Sequence, residues 1–301
     1  MSDQATPWFR VGHVTHHAAR TGCTVILFDE LVPAAVDIRG GAPGTRETAL
    51  LGEGRLVGRA DAILLTGGSA FGLAAADGVM RYLVEWERGF PTSALPVPIV
   101  PAAVIYDLAN GDAIWPTADD GYNAALNATG LTSGLDRWLG AGAGATVAKL
   151  DGDPKPGGIG VSTIHAGEVT VTAIVVLNAV GDIVDPAIGQ YLARAGDDGS
   201  PSGRELAIAK RAMGQPGENT TIGAVLIDGP MSREALHRCC IAAHGALARC
   251  VIPAQTIYDG DTFFAASRSA GGPDPDQILG VAAATEVAVE RAIVGMFRNS
   301  S

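Results

Sequence analysis

Two short apolar runs, Val25-Ile26-Leu27-Phe28 and Ala62-Ile63-Leu64-Leu65, are bounded by polar residues or turn formers and predict buried strands. Thr66-Gly67-Gly68-Ser69 then opens a segment whose pattern predicts a helix over 70–87, stopped by Gly89 and Pro91. Residues 97–105 predict a strand that Pro98 and Pro101 place at an edge or crossing. The β-branched stretch 169–177 predicts a central strand, followed by a turn at 178–181 and another strand from Ile183. Residues 222–227 are a further β-type run. Ser232 is placed to cap a helix ending near Cys250, with Leu236, Ala243 and Leu247 on one face. A strand over 261–265 and a helix over 275–297 close the pattern. The stretch 197–217, rich in Asp, Ser, Gly and Pro around a helical patch at 206–213, reads as an exposed, mobile connector. Strands and helices mix without strict alternation, which predicts layered α+β packing rather than a parallel doubly wound sheet.

Composition narrows the choice of partners. The chain has 301 residues, with 32 acids against 21 bases and a net charge of −11. Such a surface repels polyphosphates, which argues against nucleic acid and anionic membranes as partners. Aromatic residues, at 5%, are too sparse for a base-stacking platform. Cys23, Cys239, Cys240 and Cys250 form no CxxC pair and read as buried free thiols in a reducing compartment. The start MSDQATPWFR has no basic and apolar leader pattern, and the apolar runs fall far short of the ~20 residues of a membrane span. The expected setting is cytoplasmic.

Candidate chemistry is sparse when motifs are taken singly. Residues 140–145 (GAGAGA) imitate a dinucleotide loop but lack a preceding strand and a placed acid. Residues 67–72 (GGSAFG) miss the nucleophile elbow because Phe71 stands where Gly is required. Their glycines instead suit a helix start that closely approaches a backbone or ligand, so Gly67, Gly68 and Ser69 are candidate pocket residues. The six histidines show no paired-ligand motif. Two segments remain, ENTTIG at 218–223 and YDGDTFF at 258–264. Alone, the first is an ordinary loop end and the second a turn. Together they offer a hydroxyl at a strand start and two acids separated by one Gly.

Six stretches in one order then carry a resemblance over nearly the whole chain. They are TGGSAFGLAAADGVMRYL (66–83), PAAVIYDL (101–108), GAGAGATVAK (140–149), VVLNAVGDIVD (175–185), ENTTIGAV (218–225) and YDGDTFFA (258–265). The sequence resembles the DmpA-type aminopeptidases and, more closely, the nylon-oligomer hydrolases related to them. The resemblance implies a single domain with a layered αββα fold, similar in geometry to N-terminal-nucleophile hydrolases and shared with ornithine acetyltransferase-like proteins. It implies self-cleavage between Asn219 and Thr220 into chains 1–219 and 220–301, with Thr220 as nucleophile. It matches Asp259 and Asp261 to the acid pair beside the nucleophile, Lys149 to the basic residue closing the Gly-rich segment, Asn178 to the Asn ending the central strand, and Tyr106 to the Tyr of the VIYD motif. It implies a peptide or oligoamide substrate, tetramers of αβ units, and neither cofactor nor metal. Gln255 is a departure, standing where many relatives carry His.

The implied chemistry is physically coherent. A threonine hydroxyl needs a base, and an N-terminal Thr carries one in its α-amine, of pKa about 7.7–8. Lys149 would favour the neutral amine, the two acids would orient the reacting groups, and Asn178 would donate to the oxyanion, with Tyr106 beside it or lining the pocket. Two alternatives remain open at this point. One is an unprocessed relative that binds a small molecule without turnover. The other is an acyltransferase of the ornithine acetyltransferase type.

Overall fold

The computed structural model describes residues 8–131, 135–196, 199–209 and 218–298. Its main β-ladder bends back on itself to make two stacked sheets, and the bend lies in the strand Thr21–Ile38. The first part of that strand pairs with Phe9–His16 on one side and Arg59–Thr66 on the other. Beyond the exposed Asp29 and Glu30, its last part pairs with Thr262–Ala270. From there the second sheet continues through Thr220–Met231, Val169–Asn178 and Gly158–Ala166.

Side chains alternate across each strand, so each sheet has two faces to bury. Phe263, Val175 and Val225 pack with residues of the helices Arg233–Cys250 and Pro275–Arg298. Their neighbours Phe264, Val176 and Ala224 turn the other way and meet Ile26, Phe28, Ile63 and Leu65 between the sheets. The outer face of the first sheet, with Val25, Leu27, Ala62 and Leu64, is covered by the helices Ala75–Glu85 and Ala118–Leu126. The layers are therefore helix, sheet, sheet, helix, as the resemblance implied. Phe263 and Phe264 are both fully buried, and each such side chain contributes roughly 1.5–3 kcal/mol. Burial on both faces is also why these strands read as continuous apolar runs.

Several expected boundaries shift. The helix predicted over 70–87 is a single turn, Ser69–Gly72, followed by Ala75–Glu85. Between them the N–H groups of Leu73, Ala74, Ala76 and Asp77 reach back three residues rather than four, which tightens the backbone. The strand predicted over 97–105 shrinks to Ala102–Val104, since Pro98 and Pro101 cannot donate to a ladder. In the expected connector, Gly203–Ile208 is a helix held by reciprocal hydrogen bonds between Ser202 and Glu205. Residues 197, 198 and 210–217 of that stretch lie outside the described residues.

One unit positions the chemistry. Thr220–Met231, the helix Arg233–Cys250 and Thr262–Ala270 form a strand–helix–strand crossover with the two strands parallel. Parallel strands start at the same edge of a sheet. With Ile222 opposite Thr262, the two segments singled out in the sequence are delivered to one place.

Candidate active site

Thr220 is the first residue of its strand and is only 4% exposed. Its antiparallel partner is Asn178, the last residue of Val169–Asn178. On its other side runs 259–261, where Asn219 forms a parallel bridge with Asp259. The Thr220 hydroxyl lies against the carbonyl oxygen of Asn219 and donates to it. The same oxygen accepts the backbone N–H of Gly260 at 2.9 Å. A side-chain hydroxyl and a fixed backbone donor thus converge on one peptide carbonyl. Gly260 is required there by space: a Cβ would sit 2.6 Å from Ala42 O and 2.9 Å from Thr220 Oγ1.

Asp259 and Asp261 flank Gly260, and both are buried. Asp261 accepts the N–H of Thr221 at 2.6 Å and that of Gln255 at 3.0 Å. Asp259 accepts the N–H and hydroxyl of Thr256 at 3.0 and 2.6 Å and the N–H of Val180 at 3.3 Å. Among the described residues, neither carboxylate hydrogen-bonds the Thr220 hydroxyl. Burial raises the pKa of both carboxyls, and the nearby charge of Asp259 lifts Asp261 further. A like charge nearby disfavours ionisation of a second buried carboxyl. Segment 39–42 clamps the turn from outside, with Arg39 N–H donating to Asp261 O at 3.0 Å and Ala42 N–H to Asp259 O at 2.8 Å.

Lys149 reaches the same place. Its Nζ donates to Asn178 Oδ1 at 3.0 Å, Asn178 O at 3.2 Å and Glu218 O at 3.0 Å. Three acceptors match the three protons of an ammonium. Burial nevertheless pushes Lys149 down to about 7, against the opposing pull of Asp259, Glu218 and Asp107. Asn178 is fully buried. Its Oδ1 takes the N–H of Thr146 at 2.9 Å, and its Nδ2 donates to Tyr106 O and Glu218 O, both at 3.2 Å. It is therefore the backbone carbonyl of Tyr106 that meets Asn178. The Asn178 amide also serves the carbonyl of Glu218, one peptide unit before the bond next to Thr220.

Gly67, Gly68 and Ser69 stand farther back in the network. The Gly68 N–H donates to Asp107 Oδ1 at 2.7 Å, and a Cβ on Gly67 would come within 2.1 Å of Asp107 Oδ2. Gly68 has a left-handed φ of 79°, a conformation glycine adopts without strain. Burial raises Asp107 to about 6. Past the turn, the exposed Phe71 stacks on Trp115 with ring centroids 4.6 Å apart. Asp107 and Gly260 belong to this contact network although residue-by-residue motif reading did not single them out. Asp107 is visible only as the neighbour of Tyr106. Gly260 makes its contact through its backbone, which leaves no mark on side-chain chemistry. Among the described residues, no group of three or more His, Cys, Asp or Glu is placed to hold a metal ion.

The model of peptidase family S58 matches residues 7–300 of the chain. An uncharacterised aminopeptidase of Mycobacterium tuberculosis is 41% identical over 291 residues, covering 90% of this chain and 80% of its own. A 6-aminohexanoate-oligomer endohydrolase of a Kocuria species is 34% identical over 271 residues, covering 86% and 72%. Among solved structures, a β-aminopeptidase from Burkholderia superposes with a TM-score of 0.71 at 20% identity, over 97% of this chain and 84% of its own. The L-aminopeptidase D-Ala-esterase/amidase of Ochrobactrum anthropi, described as a variant of the N-terminal-nucleophile hydrolase fold, gives 0.70 at 18%, again over 97% and 84%. With its layered fold and a family match over almost its full length, the chain belongs to peptidase family S58 and is a hydrolase of amide bonds.

Proposed function

We propose that Thr220 cuts the Asn219–Thr220 bond of its own chain and then, as a new N-terminal residue, is the nucleophile for substrate amides. The observation that carries this is the convergence on the Asn219 carbonyl of the Thr220 hydroxyl and, at 2.9 Å, the Gly260 N–H. Oγ attacks the Asn219 carbonyl carbon, and the oxygen gains charge against the Gly260 donor. The C–N bond breaks, the hydroxyl proton ends on the Thr220 nitrogen, and Asn219 is left as an ester on Oγ. Water releases that ester, giving residues 1–219 with a C-terminal carboxylate and residues 220–301 with a free α-amine. The amine then accepts the Oγ proton in each turnover, and the substrate acyl group takes the place of Asn219 on Oγ.

The other residues take the following roles. Asp261 holds the N–H of Thr221 next to Thr220, and Asp259, which holds Thr256 and Val180 beside it, offsets the charge of the amine. Lys149 disfavours protonation of that amine by like-charge repulsion. Gly260 takes the oxyanion role first given to Asn178, and Asn178 and Tyr106 hold the acyl side of the site. Gly67, Gly68 and Ser69 form the wall behind Asp107. Names among the relatives support peptides or oligoamides as substrates. No helix among the described residues is long and apolar enough to cross a membrane. A tetramer of cut units and a cytoplasmic setting complete the proposal, the latter supported by four buried free cysteines.

The deciding experiment is intact mass spectrometry of the purified protein with an amide-hydrolysis assay. Two fragments, the second starting at Thr220, and release of p-nitroaniline or aminohexanoate are expected. One uncut chain, identical for the natural protein and Thr220→Ala, overturns the proposal.

A further inference from the structure

The carbonyl of Glu218 is held by two donors at once, Lys149 Nζ at 3.0 Å and Asn178 Nδ2 at 3.2 Å. Both donors are themselves fixed. Lys149 is tied to Asn178 through Oδ1 and O, its backbone N–H donates to Val180 O at 2.9 Å, and Asn178 closes the strand opposite Thr220. This carbonyl lies one peptide unit upstream of the bond that Thr220 would cut. Nothing in the cutting step itself uses it, so two preorganised donors are devoted to an acceptor outside the reacting bond.

The ester formed in self-cleavage is chemically the acyl-enzyme of a substrate whose acyl part ends in Glu218-Asn219. The uncut chain is therefore a bound substrate. Where it places its upstream carbonyl is where the acyl-enzyme of a true substrate places the same group. After scission the departing segment leaves Lys149 and Asn178 without that acceptor, and a substrate can supply it.

Building on the self-processing reading, we propose that Lys149 and Asn178 form a subsite for an amide carbonyl one unit before the scissile bond. The site then selects substrates whose preceding amino group is acylated, that is, internal bonds of peptides or oligoamides. An unblocked amino acid amide loses on two counts. It has no carbonyl to accept the two hydrogen bonds, leaving buried donors unsatisfied. It also brings an ammonium next to the Lys149 side chain, where like charges repel in a site of low polarity.

The test uses the matured enzyme, its cut confirmed by mass spectrometry, and two chromogenic substrates. One is acetyl-asparagine p-nitroanilide, whose acetyl carbonyl stands in for that of Glu218. The other is asparagine p-nitroanilide with a free amine. The expected result is a kcat/KM at least about tenfold higher for the acetylated compound, which is the weight of one hydrogen bond to a charged donor. Equal rates, faster cleavage of the free amine, or no cleavage of the acetylated compound by fully cut enzyme each overturn the subsite and leave the self-processing reading standing. A chain that never cuts overturns both.

Discussion

Gly260 and Thr220 lie so close that a methyl group on Gly260 would stand 2.9 Å from the Thr220 hydroxyl oxygen. The same glycine aims its N–H at the Asn219 carbonyl. Gly260→Ala must push its backbone off Ala42 O, 2.6 Å away, and so displaces the donor. Self-cleavage of this variant is expected to slow by roughly 10²-fold, the effect of losing one oxyanion donor. A time course of precursor and fragments on denaturing gels measures it, and an unchanged rate removes Gly260 from the chemistry.

Thr220→Ala is expected to fold and stay uncut, because the methyl group preserves the buried strand start. Thr220→Ser keeps the hydroxyl and is expected to cut. Intact mass after several days separates the two, and fragments from Thr220→Ala place the nucleophile elsewhere.

The buried acid pair gives the fold a pH dependence. Asp261 has its pKa raised from 3.8 to about 8, chiefly by burial and then by Asp259. Between those values the folded chain holds a proton that the unfolded chain releases, so stability falls as pH rises across the window. Asp261→Asn has nothing to titrate there. In a Thr220→Ala background, where both proteins stay uncut, the Tm of Asp261→Asn relative to its parent is expected to climb by several degrees from pH 4.5 to pH 8. A constant difference in thermal melts means that Asp261 is charged throughout.

Gln255 has a positive φ of 55° while its N–H holds Asp261 at 3.0 Å and its side-chain amide donates to His244 O at 3.1 Å. Gln255→Gly tolerates the backbone and loses only the side-chain bond. Gln255→Val is β-branched and resists that φ. The valine variant is expected to be less stable than the glycine variant by about 1–2 kcal/mol, read from urea midpoints, and to process more slowly. Equal midpoints show that the backbone at 255 carries no strain.

Lys149 combines a pKa near 7 with three acceptors within 3.2 Å. Deprotonation removes one of its three donors. Substrate turnover is expected to rise with pH as the Thr220 amine loses its proton and then to fall as Lys149 loses its own, giving a narrow optimum near neutrality. A kcat/KM profile that keeps rising beyond pH 9 refutes the donor role.

The doubly buried strands are legible because both of their faces are apolar, as in Val25–Phe28 and Val175–Leu177. Phe9–His16 and Gly158–Ala166 escape notice because their pattern mixes His, Thr, Ser and Gly, and more than half of each strand is not fully buried. In the candidate site, Thr220, Asp259 and Asp261 stand out in the sequence through their two motifs and the company of four others. Gly260 and the Glu218 carbonyl do not, since both act through backbone atoms that every residue possesses. Asn178 illustrates the same limit: its identity is visible in the sequence, but which carbonyl it serves depends on a strand register fixed only in three dimensions.

The ladder order has a lasting consequence for a chain cut at Thr220. Both long strands of the C-terminal piece are interior: Thr220–Met231 is zipped to Val169–Asn178, and Thr262–Ala270 to Thr21–Ile38, while its short strand Val251–Ile252 pairs with Asp182–Asp185. The smaller fragment is an inlay gripped along both long sides by the larger one. It can leave only by unzipping three ladders and emptying two cores together, so the nicked protein should travel through purification as one body and come apart only under conditions that melt the whole.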